Sequence, residues 1–285
     1  MTRSRPDPVA RVKGTDTLAV IAVSGREKGR EALRRAFPRH RGTLAFVRSR
    51  AECLTTLRTR FTDAVVVDVG QTSDLQWEVA ALAREFPSIP FFAFGPHRPL
   101  DAAATARLLG TMEFADLLME GVDDGLHREL VVAAGFSRRF AEAIAPLATT
   151  VGLTSPFHLK VWSQILSRGG RPVRTSDLAT AVNLTREHLS RRFSAGGAPN
   201  LKRIIDFARL MAAAELAKNV GYDLPDIARV LGFASPSHLS VASQRVFGIR
   251  AMSLARLRPP DLVSRFLAHG TRSRAGGGVA PGGHL

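Results

Sequence analysis

One stretch, from about Val173 to Gly248, limits the architecture more than any other, because it holds the same helical pattern twice. The first copy reads TSDLATAVNLTREHLSRRF and the second DLPDIARVLGFASPSHLSVASQRVFG. Each opens at a helix start. Thr175 or Ser176 in the first and Asp223 in the second stand at N-cap positions, with Asp177 and Asp226 in the positively polarised first turn. An aliphatic residue and an alanine follow on the buried face, Leu178-Ala179 and Ile227-Ala228, and then a tight turn, Val182-Asn183-Leu184 and Leu231-Gly232-Phe233. A short polar helix comes next, anchored inward by Leu189 or Leu239 and closed by Phe193 or Phe247. The pattern is helix, turn, helix, and the small alanine lets the two helices cross closely. The second copy has one extra residue in its turn.

Between the copies, Leu201 to Asn219 reads as one helix. Leu201, Ile204, Ile205, Ala208, Met211, Ala212 and Leu216 recur at helical spacing, and Gly221 follows as a stop. At 1.5 Å per residue such a helix is a rod of roughly 28 Å. A turn of B-DNA is about 34 Å. A bridge of this length is expected to hold two recognition helices on one face of a duplex, in successive segments of the major groove.

These residues resemble the AraC-type transcription regulators, whose DNA-binding domain is two helix-turn-helix units joined by a long helix. The matching pieces are the Leu178-Ala179 pair, HLSRRF at His188 to Phe193, RLMAA from Arg209, IARVLGF from Ile227, and the Phe247-Gly248 close. The chain departs from the family where an arginine and a phenylalanine are usual, at Val241 and Ser243. Pro199 also lies about two residues farther from Arg209 than the pattern has it. The resemblance implies double-stranded DNA as partner, with RNA polymerase as a further candidate.

A recognition helix exposes the residues beside its buried anchor. Around Leu189 these are Arg186, Glu187, Ser190 and Arg191, with Arg192 flanking. Arg191 can pair bidentately with a guanine edge, and Glu187 can accept from a cytosine amino group. By the resemblance, base contacts fall on Glu187, Ser190 and Arg191. Arg186 and Arg192 can equally be phosphate contacts or a solvated face. In the second unit the corresponding positions are Ser237, His238, Ser240 and Val241, where valine offers only apolar contact. His188 and His238 lack metal-ligand spacing, so neither is expected to bind metal.

The charge distribution agrees with a polyanionic partner. Residues 151–270 carry 17 Lys and Arg against 7 Asp and Glu, whereas residues 1–150 carry 21 against 18. Positive charge thus sits with the doubled motif. Cys53 is the sole cysteine, which excludes an intrachain disulfide and a cysteine zinc site. No apolar run approaches the roughly 20 residues of a membrane helix, and the first residues lack a hydrophobic signal core, so a cytoplasmic chain is expected. No cofactor is called for.

The first half alternates strand-like and helix-like segments. Strands are expected at Leu18 to Val23, Thr43 to Val47, Ala64 to Asp68, Pro90 to Phe94 and Phe114 to Leu118. Helices are expected at Arg26 to Phe37, Arg50 to Phe61, Asp74 to Phe86 and Asp101 to Leu109. Such alternation argues for an open parallel sheet with helices on both faces. The overall expectation is a flavodoxin-like α/β domain over 17–125 followed by an all-α domain over 151–268. An arm at 1–16, a connecting helix at 126–150 and a glycine-rich tail at 269–285 complete it. Within 126–147, Leu130, Ala133, Phe136, Phe140 and Ile144 form an apolar side that can pack on its own sheet or pair with a second chain. A short helix is expected at Leu262 to Leu267.

This half resembles a response-regulator receiver through DAVVVD at Asp63 to Asp68, which would make Asp68 the phosphoacceptor. Phosphoryl transfer there needs metal-holding acids after the first strand, a hydroxyl ending the fourth and a lysine ending the fifth. The chain has Ser24-Gly25 and Gly95 at the first two places, and no lysine between Lys28 and Lys160. The resemblance therefore implies a degenerate receiver without phosphorylation chemistry. SGREKG after the first strand lacks the glycine spacing of a dinucleotide loop. No convergent acid, base and nucleophile point to an enzyme. Two rival readings are a protein-interaction module that has lost sequence readout and a small-molecule sensor in the α/β half.

Overall fold

The computed structural model describes residues 18–71 and 73–275; the expected arm at 1–16 and residues 276–285 lie outside them. The first half is an α/β layer structure. Its strands are β1 (Leu18–Val23), β2 (Gly42–Phe46), β3 (Ala64–Asp68), β4 (Phe91–Gly95) and β5 (Asp116–Met119). They alternate with α1 (Glu27–Ala36), α2 (Arg50–Thr59), α3 (Asp74–Ala81), α4 (Ala102–Thr111) and α5 (Asp124–Ala134). All strand pairs are parallel, in the order β2-β1-β3-β4-β5. This is the flavodoxin-like order, in which the chain reverses direction of winding between β1 and β3. β3 and β4 are buried along their whole length, which is why they read as unbroken apolar runs rather than alternating ones. β5 lies two residues later at its start than the sequence suggests.

The single connecting helix expected over 126–150 is two helices. α5 ends at Ala134 and α6 (Phe136–Ile144) begins after Gly135, whose ψ of 153° is extended. Asp63, just before β3, explains the break. Its backbone carbonyl accepts from Phe136 N (3.0 Å), and its carboxylate accepts from Ser137 N (3.0 Å) and Ala19 N (2.9 Å). The sheet thus supplies partners for the unpaired N–H groups of a new helix start.

The apolar side of this region is covered by its own chain. Val131 of α5 packs in the core layer with α1, and Phe136, Phe140 and Ile144 of α6 join the core that continues into α7 (Pro156–Leu166). Leu130 is half-buried and Ala133 exposed. Of the expected apolar side, Phe136, Phe140 and Ile144 are thus taken by the chain's own core.

The second half is helical: α8 (Thr175–Ala181), α9 (Arg186–Ser194), α10 (Leu201–Leu216), α11 (Leu224–Val230), α12 (Pro236–Phe247) and α13 (Pro259–Ala275). α13 is longer than the expected Leu262–Leu267 helix and runs past 269, where the tail was expected to begin. In α10, 11 of 16 residues are buried, far more than one face. It is a core helix, enclosed by both motifs, α13 and the first half. Phe207 at its centre meets Trp162, Phe247 and Phe266. One continuous apolar cluster runs from Val65 and Phe86 of the sheet layer through Phe140 and Trp162 to Met211 and Tyr222. The two halves are therefore packed against each other and not merely tethered.

Candidate nucleic-acid interface

The two sequence copies fold to the same local geometry. In the first, α8 and α9 are joined by a turn in which Asn183 takes a left-handed conformation (φ 56°) and Leu184 N donates to Ala179 O at 2.9 Å. In the second, Gly232 takes that conformation between α11 and α12 (φ 65°), and Phe233 N donates to Ala228 O at 2.7 Å. Asparagine and glycine are the residues that enter this region at least cost. At Gly232 a side chain would also strike Pro172, at 2.6 Å. Leu178, Ala179, Ile227 and Ala228 are buried as the pattern requires, and Leu189, Leu239, Phe193 and Phe247 are fully so.

The helix starts differ between the copies. Asp223 caps α11 through Asp226 N (2.7 Å), and the Asp226 carboxylate returns a bond to Asp223 N, a capping box. The first motif lacks this. Neither Thr175 nor Ser176 is the cap of α8; both lie inside the helix, and Arg174 precedes it with no side-chain bond to the turn. Each recognition helix is capped instead by a hydroxyl, Thr185 to His188 N (3.3 Å) and Ser235 to His238 N (3.1 Å).

On α9, Arg186, Glu187, Ser190 and Arg191 are exposed around the buried Leu189. Neither Arg186 nor Arg191 has a hydrogen-bond or ion-pair partner among the described residues, so both guanidinium groups face solvent. Arg192 is also exposed, yet its guanidinium lies over the Phe157 ring at 4.3 Å, which ties it to α7. On α12, Ser237, His238 and Val241 are exposed and Ser240 is half-buried. The His238 ring meets Phe233 edge-on at 5.9 Å. The one cation of this helix, Arg245, is held by Asp206 of α10 at 2.7 Å. The two exposed faces thus differ in charge: the first presents arginines, the second hydroxyls, an imidazole and a valine. Ser243, where the family pattern has a phenylalanine, is fully buried, and its hydroxyl has no hydrogen-bond partner among the described residues.

A family model described as a helix-turn-helix domain matches residues 178–256, which span both motifs and the bridge between them. Residues 178–256 are an AraC-type helix-turn-helix domain. That AraC-type domain makes the chain a DNA-binding transcription regulator. Comparison with curated proteins gives no match. Among solved structures, full-length FixJ from B. japonicum is similar over 84% of this chain and 98% of its own, at 12% identity and a TM-score of 0.35. The flavodoxin-like assignment stands on the strand order β2-β1-β3-β4-β5. No helix among the described residues is long and apolar enough to cross a membrane.

Ahead of the AraC-type domain, the C-terminal ends of the strands gather a second set of polar residues. Asp68 is 1% exposed at the end of β3 and is saturated with donors. Ser24 Oγ donates at 2.5 Å, Gly70 N at 3.0 Å, and the Arg26 guanidinium through Nε (3.1 Å) and Nη2 (2.6 Å). Arg26 Nη1 reaches on to Glu120, just past β5, at 2.8 Å. Burial acts to lower the Arg26 pKa, but the bonds and charges of Asp68 and Glu120 outweigh it and raise it. The surroundings are tight. A Cβ on Gly29 would fall 2.3 Å from Asp68 Oδ2, and one on Gly70 would fall 2.5 Å from the Arg26 guanidinium carbon.

A receiver holds a divalent metal at this place, and these residues do not fit one. The positive charge beside Asp68 is a guanidinium, Ser24-Gly25 supplies no acid, and Gly95 and Met119 end β4 and β5 without hydroxyl or amine. Sequence reasoning found the missing parts but not Arg26, which stands two residues beyond Ser24 in the same loop. An arginine directly after the positions of the missing acids was the signal.

Proposed function

We propose that the chain reads DNA sequence without catalysis, and that its receiver-like domain works without phosphoryl transfer. The observation that carries the first part is the presentation of two capped recognition helices, with their anchors buried and their flanking polar residues exposed. Backbone phosphates would position the domain and the exposed side chains would read bases. In this reading Arg191 and Glu187 contact base edges in the first half-site, with Ser190 beside them. Arg186 contacts base or phosphate, and Arg192, engaged with Phe157, serves a phosphate. Ser237, His238 and Ser240 give weaker or water-mediated contacts in the second. The saturated Asp68 supports the second part. The family resemblance supports RNA polymerase as a partner of the bound regulator.

Selection from a pool of random duplexes tests this. The full chain should enrich one sequence with a sharply defined half-site beside a weaker one. Affinity should fall steeply with salt, as counterion release requires. Salt-dependent binding with no enriched sequence would favour the rival reading of a module that has lost sequence readout.

A further inference from the structure

The second recognition helix is seated on the buried rod α10 in two ways: directly, through Phe247 on Phe207 and Arg245 on Asp206, and through the joint between α10 and α11, which carries α11 and the turn that leads into α12. The joint is Ala217 to Asp223, and its flexible member is Gly221. Both backbone polar groups of Gly221 are taken by the receiver-like domain. Its N–H donates to Glu85 O (2.9 Å), and its carbonyl accepts from Arg58 Nε (3.0 Å). There is no room for a side chain, since a Cβ there would lie 2.3 Å from the Phe86 ring. Phe86 also meets Tyr222 edge-on at 4.8 Å.

The residues on either side are held in the same way. Asn219 is 1% exposed; its carboxamide oxygen accepts from Ser88 N (2.9 Å) and its amide donates to Ser88 Oγ. Arg58 pairs with Asp226 in the first turn of α11 (3.5 Å), and Arg229 Nη1 donates back to Arg58 O (3.4 Å). Desolvation raises the Asp226 carboxyl above its ordinary range, and Arg58 acts against that shift. Among the described residues, no hydrogen bond, ion pair or ring contact joins residues 18–122 to α8 or α9. Toward the first motif residues 18–122 reach Arg171, four residues before α8, whose guanidinium lies over the Phe61 ring at 4.7 Å; the direct bonds to a motif go to the second.

We infer that Arg58, Phe86 and Ser88 of the receiver-like domain are positioning residues that set the angle of the second recognition helix and thereby the half-site spacing the chain accepts. This inference rests on the DNA-binding reading above. A hinge glycine whose N–H and C=O are both bonded outside its own loop cannot rotate without breaking those bonds. A small displacement at such a joint moves a whole helix because packed interfaces switch between discrete arrangements rather than deform smoothly.

The test uses the full chain, the selected duplex, a set with the half-sites moved by one or two base pairs either way, and a duplex with the first half-site alone. Wild-type protein should prefer one spacing by about tenfold, within the usual range of coupling between sites. Arg58→Ala and Asn219→Ala should flatten that preference to about twofold while leaving affinity for the single half-site unchanged. Arg58→Lys, which keeps the charge and N–H donors but not the planar fork, should restore part of it. Full spacing preference in both alanine variants overturns the inference. So does an equal loss on all duplexes, which is general damage and not a change of angle. Wild-type protein that binds no duplex selectively overturns the DNA-binding reading itself and this inference with it.

Discussion

Arg26→Met isolates the contribution of the guanidinium at the strand ends. The substitution leaves Asp68, 1% exposed, with only Ser24 Oγ and Gly70 N as donors. Breaking a buried ion pair by deleting one partner typically costs about 3–5 kcal/mol, because the remaining charge stays buried. Arg26 is 15% exposed, so water can partly replace it and the loss should lie near the lower end, about 3 kcal/mol. Glu120, 20% exposed, adds little to that on release. Asp68→Asn keeps the shape and removes the charge, leaving Arg26 paired with Glu120; a cost of about 1–2 kcal/mol is expected. In the double variant no fully buried charge is left unpaired, and the carboxylate that loses its partner, Glu120, is reached by water, so the cost should fall well below the sum of the two. Urea unfolding of the full chain reads all three, since Trp77 sits in α3 and Trp162 in α7, one reporter for each half. An Arg26→Met cost under about 1 kcal/mol, or additive costs in the double variant, would refute the view of Arg26 as the counter-charge of a buried carboxylate.

Three further outcomes follow from named contacts. Incubation with a small phosphodonor and magnesium should leave the mass of the chain unchanged; a stoichiometric gain lost in Asp68→Asn would contradict the Arg26-saturated carboxylate. Cys53 is fully buried and burial pushes its thiol up to about 12, so an alkylating reagent at pH 8 should label it only after denaturant unfolds the chain. Ser243→Ala removes a buried hydroxyl that has no hydrogen-bond partner among the described residues and should leave stability unchanged or raise it by up to about 1 kcal/mol in urea unfolding.

The strands were legible because Val65, Val66, Val67 and the Phe91 to Phe94 run are buried on both faces and so carry no polar alternation. The doubled motif was legible because its anchors and its left-handed turn residues, Asn183 and Gly232, recur in matching order. What escaped reading depends on contacts distant in sequence. Gly135 looked like one residue of a continuous helix, and only Asp63, brought beside it by the sheet, shows why the helix restarts there. Gly221 read simply as a helix stop; it is glycine because Phe86 occupies the space a side chain would need. The α8 cap failed for a local reason: two hydroxyl residues in succession, Thr175 and Ser176, suggest a cap, but the helix starts one residue earlier, at Thr175 itself. At the recognition helices the polar residues beside the anchors are exposed where helical spacing puts them, except Ser240, which is half-buried. The sequence did not show that Arg192 lies on Phe157 or that Arg245 is held by Asp206, which leaves α12 without an unengaged cation.

The central claim is that this chain reads DNA chiefly through the exposed arginines of α9. The measurement that bears on it most directly is the affinity of wild-type and Arg191→Ala protein for the selected duplex and for a random duplex of equal length, at fixed salt. A good bidentate pair with a guanine contributes about 1–3 kcal/mol of discrimination, roughly fivefold to 150-fold. Arg191→Ala should lose affinity for the selected duplex by about that factor and for the random one by only about twofold, as a lost charge would. Val241→Ala, the matching position of α12, should change both little. Equal losses on the two duplexes, or an Arg191→Ala protein that keeps its preference, would contradict the claim.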